Sequence, residues 1–212
     1  MPYGYVTKQP NQKIKNSGVF SITDVAVKQQ EGIFSGSYEH IETKTASAGD
    51  GFLRFENLLT DRYDIHYYTF ANFQPNTDSV QLRIRLYEGG VEETANVYKW
   101  GYSYYDTGTS DSFTHNVNYW RAAYSTGNDT NEAAAGHGYF YNLGDSARYT
   151  YHSMMHGQEH NSGAIRAVYG GGTFDQASTI DMIKFFPNSG TLDALEISLY
   201  GIKKLWYEFT IN

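Results

Sequence analysis

The sequence predicts an all-β fold: an antiparallel β-sandwich or jelly roll, preceded by a short N-terminal arm. Three observations lead there. Aromatic residues are abundant, with 20 Tyr, 12 Phe and 3 Trp, and such residues favour strands and surfaces that are packed on one edge and wet on the other. Apolar residues recur with period 2 along several segments. Gly- and Asn-rich clusters separate those segments at short, regular spacing. A chain of 212 residues is long enough to bury a core without staples and short enough to be one all-β domain.

Residues 1–30 read as an arm. Pro2, Gly4, Pro10 and Gly18, with the polar run Asn11-Gln12-Lys13, point to extended chain. Val19–Lys28 has the signals of a short helix: Ser21 or Thr23 as cap, Asp24 in the first turn and Lys28 in the last. Val19 and Val27 argue for a strand instead. Gly32 and Gly36 then punctuate the start of the main domain, residues 31–212.

Within that domain the clearest strand is Gln81–Tyr87, where Leu82, Ile84 and Leu86 share one face while Gln81, Arg83 and Arg85 share the other. Tyr63–Phe70 has aromatics on both faces, the pattern of a strand covered on both sides. Asn72–Asp78 reads as the loop between these two strands. Further strands are expected at Gly51–Phe55, Ala95–Tyr105, Asn118–Tyr124, Gly138–Leu143, Ala147–Met154, Ala164–Tyr169, Thr179–Phe186 and Leu192–Ile202. Turns are expected at Glu88-Gly89-Gly90, Ser125–Asp129, Asn142–Asp145, Gly170-Gly171-Gly172 and Asn188-Ser189-Gly190. There is no internal repeat.

A formal net charge of −7 disfavours nucleic acid as a partner, because phosphate binding rests on Lys and Arg. No basic cluster exceeds Lys203-Lys204, and no apolar run approaches the length of a membrane span. The absence of cysteine removes disulfides and thiolate metal sites and fits assembly in a reducing cytosol. The opening residues Met1–Val6 lack the charged and apolar regions of a signal peptide, so secretion by that route is not expected.

No catalytic signature stands out, and the chain is expected not to be an enzyme and to need no cofactor. His152, His156 and His160 recur every fourth residue, which on a helix would make a row able to chelate zinc or copper. On a strand the same spacing sets neighbours about 13 Å apart, too far for one ion. Gly157 inside the run and the strand-like Arg148–Met154 favour the second reading. Gly-x-Ser-x-Gly is absent. Gly170-Gly171-Gly172 precedes no helix with Lys-Ser/Thr, so it reads as a turn needing positive φ rather than a phosphate loop. Glu92-Glu93, beside a Gly-Gly turn, reads as solvated. Trp100, Tyr102 and Tyr104, with Tyr139 and Tyr141, are candidates for a surface that stacks on sugar rings; the alternative is that they are core and cross-strand pairs.

The order of Ile14–Val25, Tyr63-Asp64-Ile65-His66 with Phe70, Leu82–Leu86, Gly138–Gly144, Gly170–Gly172 and Leu199–Lys203 resembles virion structural proteins of tailed bacteriophages, especially those of aquatic hosts such as cyanophages. The resemblance implies a jelly-roll domain that is part of a virion, made in the host cytoplasm. It implies a tail-associated fibre or adhesin-like subunit, with a capsid decoration protein as the alternative and a carbohydrate-binding or carbohydrate-active module as a third reading. Expected partners are other virion proteins, a homotrimer of the chain and a host surface glycan. An arm with spaced apolar residues gains stability only by burial on another chain, which makes Ile14, Val19, Phe20 and Val25 anchor candidates. The apolar C-terminal tail beyond Ile202 adds Leu205, Trp206 and Phe209.

Overall fold

A computed structural model of the chain describes residues 38–159 and 164–203. The expected arm and its short helix, the anchors Ile14, Val19, Phe20 and Val25, the tail residues Leu205, Trp206 and Phe209, and His160 all lie outside the described residues. Within them the fold is all-β, and no helix is long and apolar enough to cross a membrane.

The larger sheet contains β1 (Tyr38–Ala46), β3 (Tyr63–Pro75), β6 (Tyr98–Tyr105), β7 (Thr109–Val117), β9 (Ala134–Tyr141), β10 (Tyr149–Glu159), β11 (Ile165–Ala177) and β13 (Leu192–Lys203). Their order is β1-β13-β3-β9-β10-β11-β6-β7, and every pairing is antiparallel. The smaller sheet contains β2 (Leu53–Phe55), β4 (Val80–Glu88), β5 (Val91–Glu92), β8 (Trp120–Thr126) and β12 (Met182–Pro187). Its order is β2-β12-β4-β5, with β8 also antiparallel to β4. The chain passes from β3 in the larger sheet to β4 in the smaller. It returns from β12 to β13, so that β3 pairs β13 and β4 pairs β12. These four strands form a ribbon that changes sheet as a unit.

Alternation explains which face each strand buries. On β4, Leu82, Ile84 and Leu86 are fully buried, while Arg83 and Arg85 on the other face are half-buried. Each buried side chain of this size stabilises by roughly 1.5–3 kcal/mol before conformational entropy is subtracted. Side chains from both sheets meet in one core. Phe185 of β12 packs on Tyr68 of β3 at 5.2 Å between ring centroids and on Phe140 of β9 at 6.5 Å. The Leu86 N–H of β4 donates to the Tyr98 hydroxyl of β6 at 2.9 Å. Trp120 of β8 stands fully buried between the layers, its indole N–H shared between the Lys99 and Thr173 carbonyls at 3.1 and 3.3 Å.

Most expected strands are present, and three expectations need correction. Asn72–Asp78 is not all loop: β3 continues to Pro75, and the pairing register shifts between Phe70 and Phe73, where Asn72 adopts φ 54°. That irregularity breaks the alternation and hides the strand. Gly170-Gly171-Gly172 is not a turn. It lies mid-strand in β11, paired to β10 and β6, and none of the three has positive φ. A Cβ at Gly172 would collide with the Lys99 carbonyl and the Trp120 indole, so close approach is what requires glycine there. Glu92 is not simply solvated. The two-residue turn Gly89-Gly90, with φ of 56° and 81°, folds β5 back on β4 and sets Glu92 opposite Tyr87. There it accepts from Lys184 at 2.8 Å and from Arg85 at 3.0 Å. Tyr63–Phe70 buries one face fully, and on its half-buried face Tyr67 packs against Tyr38, Tyr139 and Tyr200 of the same sheet.

Candidate binding face of the eight-stranded sheet

The outer face of the larger sheet gathers the chemistry that the core does not absorb. Pairing registers place His40, Tyr200, Tyr67, Tyr139, Ser153, Gly171, Gly101 and Phe113 in one row from β1 to β7. A flanking row runs through Ile65, Tyr141, Tyr151, Thr173 and Lys99. The row on the other side runs through Thr69, His137, Met155, Tyr169, Ser103 and Asp111. Side chains alternate across a strand, so all three rows project from the same side.

Where the central row passes through Gly171 and Gly101, no side chain rises from the sheet. The result is a trough of about 630 Å³, floored by these glycines, with Tyr151 on one flank, Phe113 on the other, and Lys99, Thr173 and His115 at its rim. A second basin of about 300 Å³ continues past Gly101 and Phe113 towards Tyr169, Ser103 and Asp111. Phe113 is 76% exposed, unusual for a phenylalanine on an ordered strand. Tyr169 stacks on Tyr105 with ring centroids 6.0 Å apart. Ser103 donates to Asp111, and Lys99 pairs with Asp175. Asp111 is the one carboxylate among the described residues lining the two basins.

At the other end of the row, Tyr38, Tyr67, Tyr139 and Tyr200 line a separate cup of about 280 Å³. Tyr67 forms its floor. Tyr139 and Tyr200 lie beside it at 4.9 and 5.9 Å between centroids, and Tyr38 stands edge-on at 5.3 Å. The Tyr38 and Tyr139 hydroxyls share a hydrogen bond of 3.3 Å.

The five aromatic candidates from the sequence divide between the two faces of the sheet. Tyr139 and Tyr141 are on the outer face, half-buried and stacked on each other at 6.1 Å. Trp100 and Tyr102 are buried, which corrects their assignment to a binding surface. The period of 2 on β6 sends them inward with Tyr98. The Arg121 guanidinium lies 4.0 Å from the Trp100 ring centre and also hydrogen-bonds the Tyr102 hydroxyl. Burial pushes the Arg121 guanidinium down to about 10. Tyr104 is half-buried beneath Arg166, 4.6 Å from its ring centre, and Arg166 pairs with Asp106 at 2.8 Å. These three aromatics and two arginines pack one margin of the core. The exposed residues Phe113, Tyr151 and Tyr169 were not singled out in the sequence. Phe113 sits in the polar run Thr109–Val117, and Tyr169 adjoins glycines that read as a turn.

His152 and His156 both point into the core from β10, and burial pushes each down to about 3. His152 packs against both Trp120 and Phe140, at 5.2 Å from each. Among the described residues no three His, Asp or Glu side chains converge as a metal site would require. No protein family, curated protein or solved structure matches the chain.

Proposed function

We propose that this chain is a non-catalytic glycan-recognising module, a tail-associated fibre or adhesin-like subunit of a phage particle, which grips sugar rings in the glycine-floored trough. One observation carries the reading: Gly101 and Gly171 lie side by side where flanking aromatics, Tyr151 and Phe113, rise from the same face. Such a trough admits a flat ring to the backbone while aromatic faces contact its apolar side and Lys99, Thr173 and His115 meet its hydroxyls. The ribbon that changes sheet as a unit supports a β-sandwich of jelly-roll type. The resemblance of the sequence to phage virion proteins supports the setting, assembly with other virion proteins as a homotrimer, and a virion location. A glycosidase needs two carboxyl groups flanking the scissile bond; among the described residues Asp111 is the one carboxylate lining the basins, which supports a binding role.

Affinity electrophoresis in gels containing host surface polysaccharide tests the reading. The chain is expected to be retarded, and Phe113→Ala to weaken retardation about ten-fold, as loss of an aromatic anchor does. Gly101→Val is a second variant. A Cβ there makes only ordinary contacts, 3.6 Å from the Phe113 Cβ, so the fold survives while the trough is filled. Absence of retardation would overturn the proposal, and release of reducing ends would replace binding by catalysis. Antibody labelling of the particle on its shell and not its tail would replace the fibre by a decoration protein.

A further inference from the structure

The tyrosine cup is geometrically distinct from the trough and poses a different recognition problem. A sugar ring presents a broad C–H face and stacks best on one open platform. In the cup, Tyr38 meets Tyr67 at 67° between ring planes, and Tyr139 and Tyr200 tilt by 41° and 39° against Tyr67. Four ring surfaces therefore turn about one small volume, and no charged side chain lines it. A compact, roughly spherical group meets all four; a flat one meets only one or two.

Aromatic faces carry a negative quadrupole and attract a cation seated within about 6 Å of the ring centre. Tyr38, Tyr139 and Tyr200 have ring centres 4.9–5.9 Å from that of Tyr67, so a group seated in the cup adjoins more than one ring. A primary ammonium loses several hydrogen bonds to water on entering such a site, whereas a fully methylated one has none to lose and adds apolar contact. A net charge of −7 favours the approach of any cation. Burial raises Tyr67, and the hydrogen bond with Tyr38 together with burial holds Tyr139 up to about 12, so these two phenols stay neutral at neutral pH.

We propose that the cup formed by Tyr38, Tyr67, Tyr139 and Tyr200 binds a quaternary ammonium group of the choline class. Host-surface glycans and lipid headgroups both present this chemistry. It is independent of the trough, and loss of either site leaves the other intact.

Calorimetric titration of the full chain with choline, and with its neutral carbon isostere 3,3-dimethylbutan-1-ol, tests the cation requirement directly. Choline is expected to bind at least about ten-fold more tightly than the isostere. Tyr38→Leu, at the strand edge, removes one wall with little risk to the fold and is expected to weaken choline binding several-fold. Tyr67→Leu is expected to abolish it, with the far-ultraviolet circular dichroism confirming that the sheet persists. Phosphocholine coupled to a soluble carrier and phosphatidylcholine vesicles separate the sources: capture of the carrier alone assigns a glycan-like presentation, and capture of both admits a lipid surface. Equal affinity for choline and its isostere, no binding of choline, or unchanged binding by Tyr38→Leu and folded Tyr67→Leu would overturn the proposal.

Discussion

The Tyr68 hydroxyl and Nε2 of His152 meet at 2.9 Å inside the core, with both side chains shielded from solvent. The two rings also stack, tilted by 14° with centroids 5.9 Å apart. A buried imidazole costs free energy unless its polar atoms are met. Here the strand registers bring β3 and β10 to either side of β9, and Gly138 on the intervening strand leaves room for the Tyr68 ring: a Cβ there would lie 2.6 Å from its hydroxyl.

Removing that hydroxyl strands the histidine. Tyr68→Phe is expected to destabilise the domain by about 1–2 kcal/mol, because the buried Nε2 loses its partner. Urea unfolding should show a lowered midpoint with an unchanged slope. The double variant Tyr68→Phe/His152→Phe should recover part of the loss, since replacing both partners removes the unmet group.

Acid should unfold the domain by charging its buried histidines. Burial holds His152 and His156 at about 3 and lowers His66 as well, against about 6.5 in the unfolded chain. A depressed folded value means that the unfolded state binds more protons between those limits. The stability is complete above about pH 6.5 and is lost progressively as pH falls towards 3, on the order of 4 kcal/mol for each of His152 and His156 at the low-pH limit. Melting temperatures from pH 7.5 to 4 should fall steeply, and His152→Phe should flatten the profile.

The fold was most legible where one face is fully buried. Leu82, Ile84 and Leu86 alternate with polar residues, and their strand is found where it is expected. The two outermost strands of the larger sheet left no such trace. Among the described residues Thr109–Val117 and Tyr38–Ala46 each pair on one side only, and few of their side chains are fully buried, so no apolar period marks them. The triple glycine misleads for a different reason. Glycine serves turns and close approaches alike, and only pairing partners distinguish the two uses. Tyr139 was legible as an outer-face residue, whereas its convergence with Tyr38, Tyr67 and Tyr200 depends on strand order across four strands, which no local pattern encodes.

The two uses of glycine can be separated by substitution. Gly157 is mid-strand in β10 with open space where a Cβ would go. Gly157→Thr should stabilise by about 0.5–1 kcal/mol, through reduced unfolded-state freedom and better strand propensity. Gly172→Ala should cost about 1–3 kcal/mol, because neither the Lys99 carbonyl nor Trp120 can move without disturbing the core. Thermal melts of the two variants should shift in opposite directions.

Glu92 ties three strands of the smaller sheet together. Its carboxylate accepts from Lys184 on β12 at 2.8 Å, and from Arg85 and the Tyr87 hydroxyl on β4 at 3.0 and 2.9 Å. Burial pushes the carboxyl up, but the hydrogen bonds from Lys184, Arg85 and Tyr87 outweigh it and hold the group below its ordinary value. A depressed carboxylate stabilises above its unfolded value and loses that contribution as pH falls through the folded one. Glu92→Gln keeps the shape but leaves two half-buried cations side by side without their shared anion. The expected loss is about 1–2 kcal/mol, smaller than for a fully buried pair because water reaches the site. A double-mutant cycle with Lys184→Gln should give a coupling of about 1 kcal/mol that shrinks as salt is raised. A cycle that closes at zero would mean that the three side chains share a place on the sheet without stabilising it.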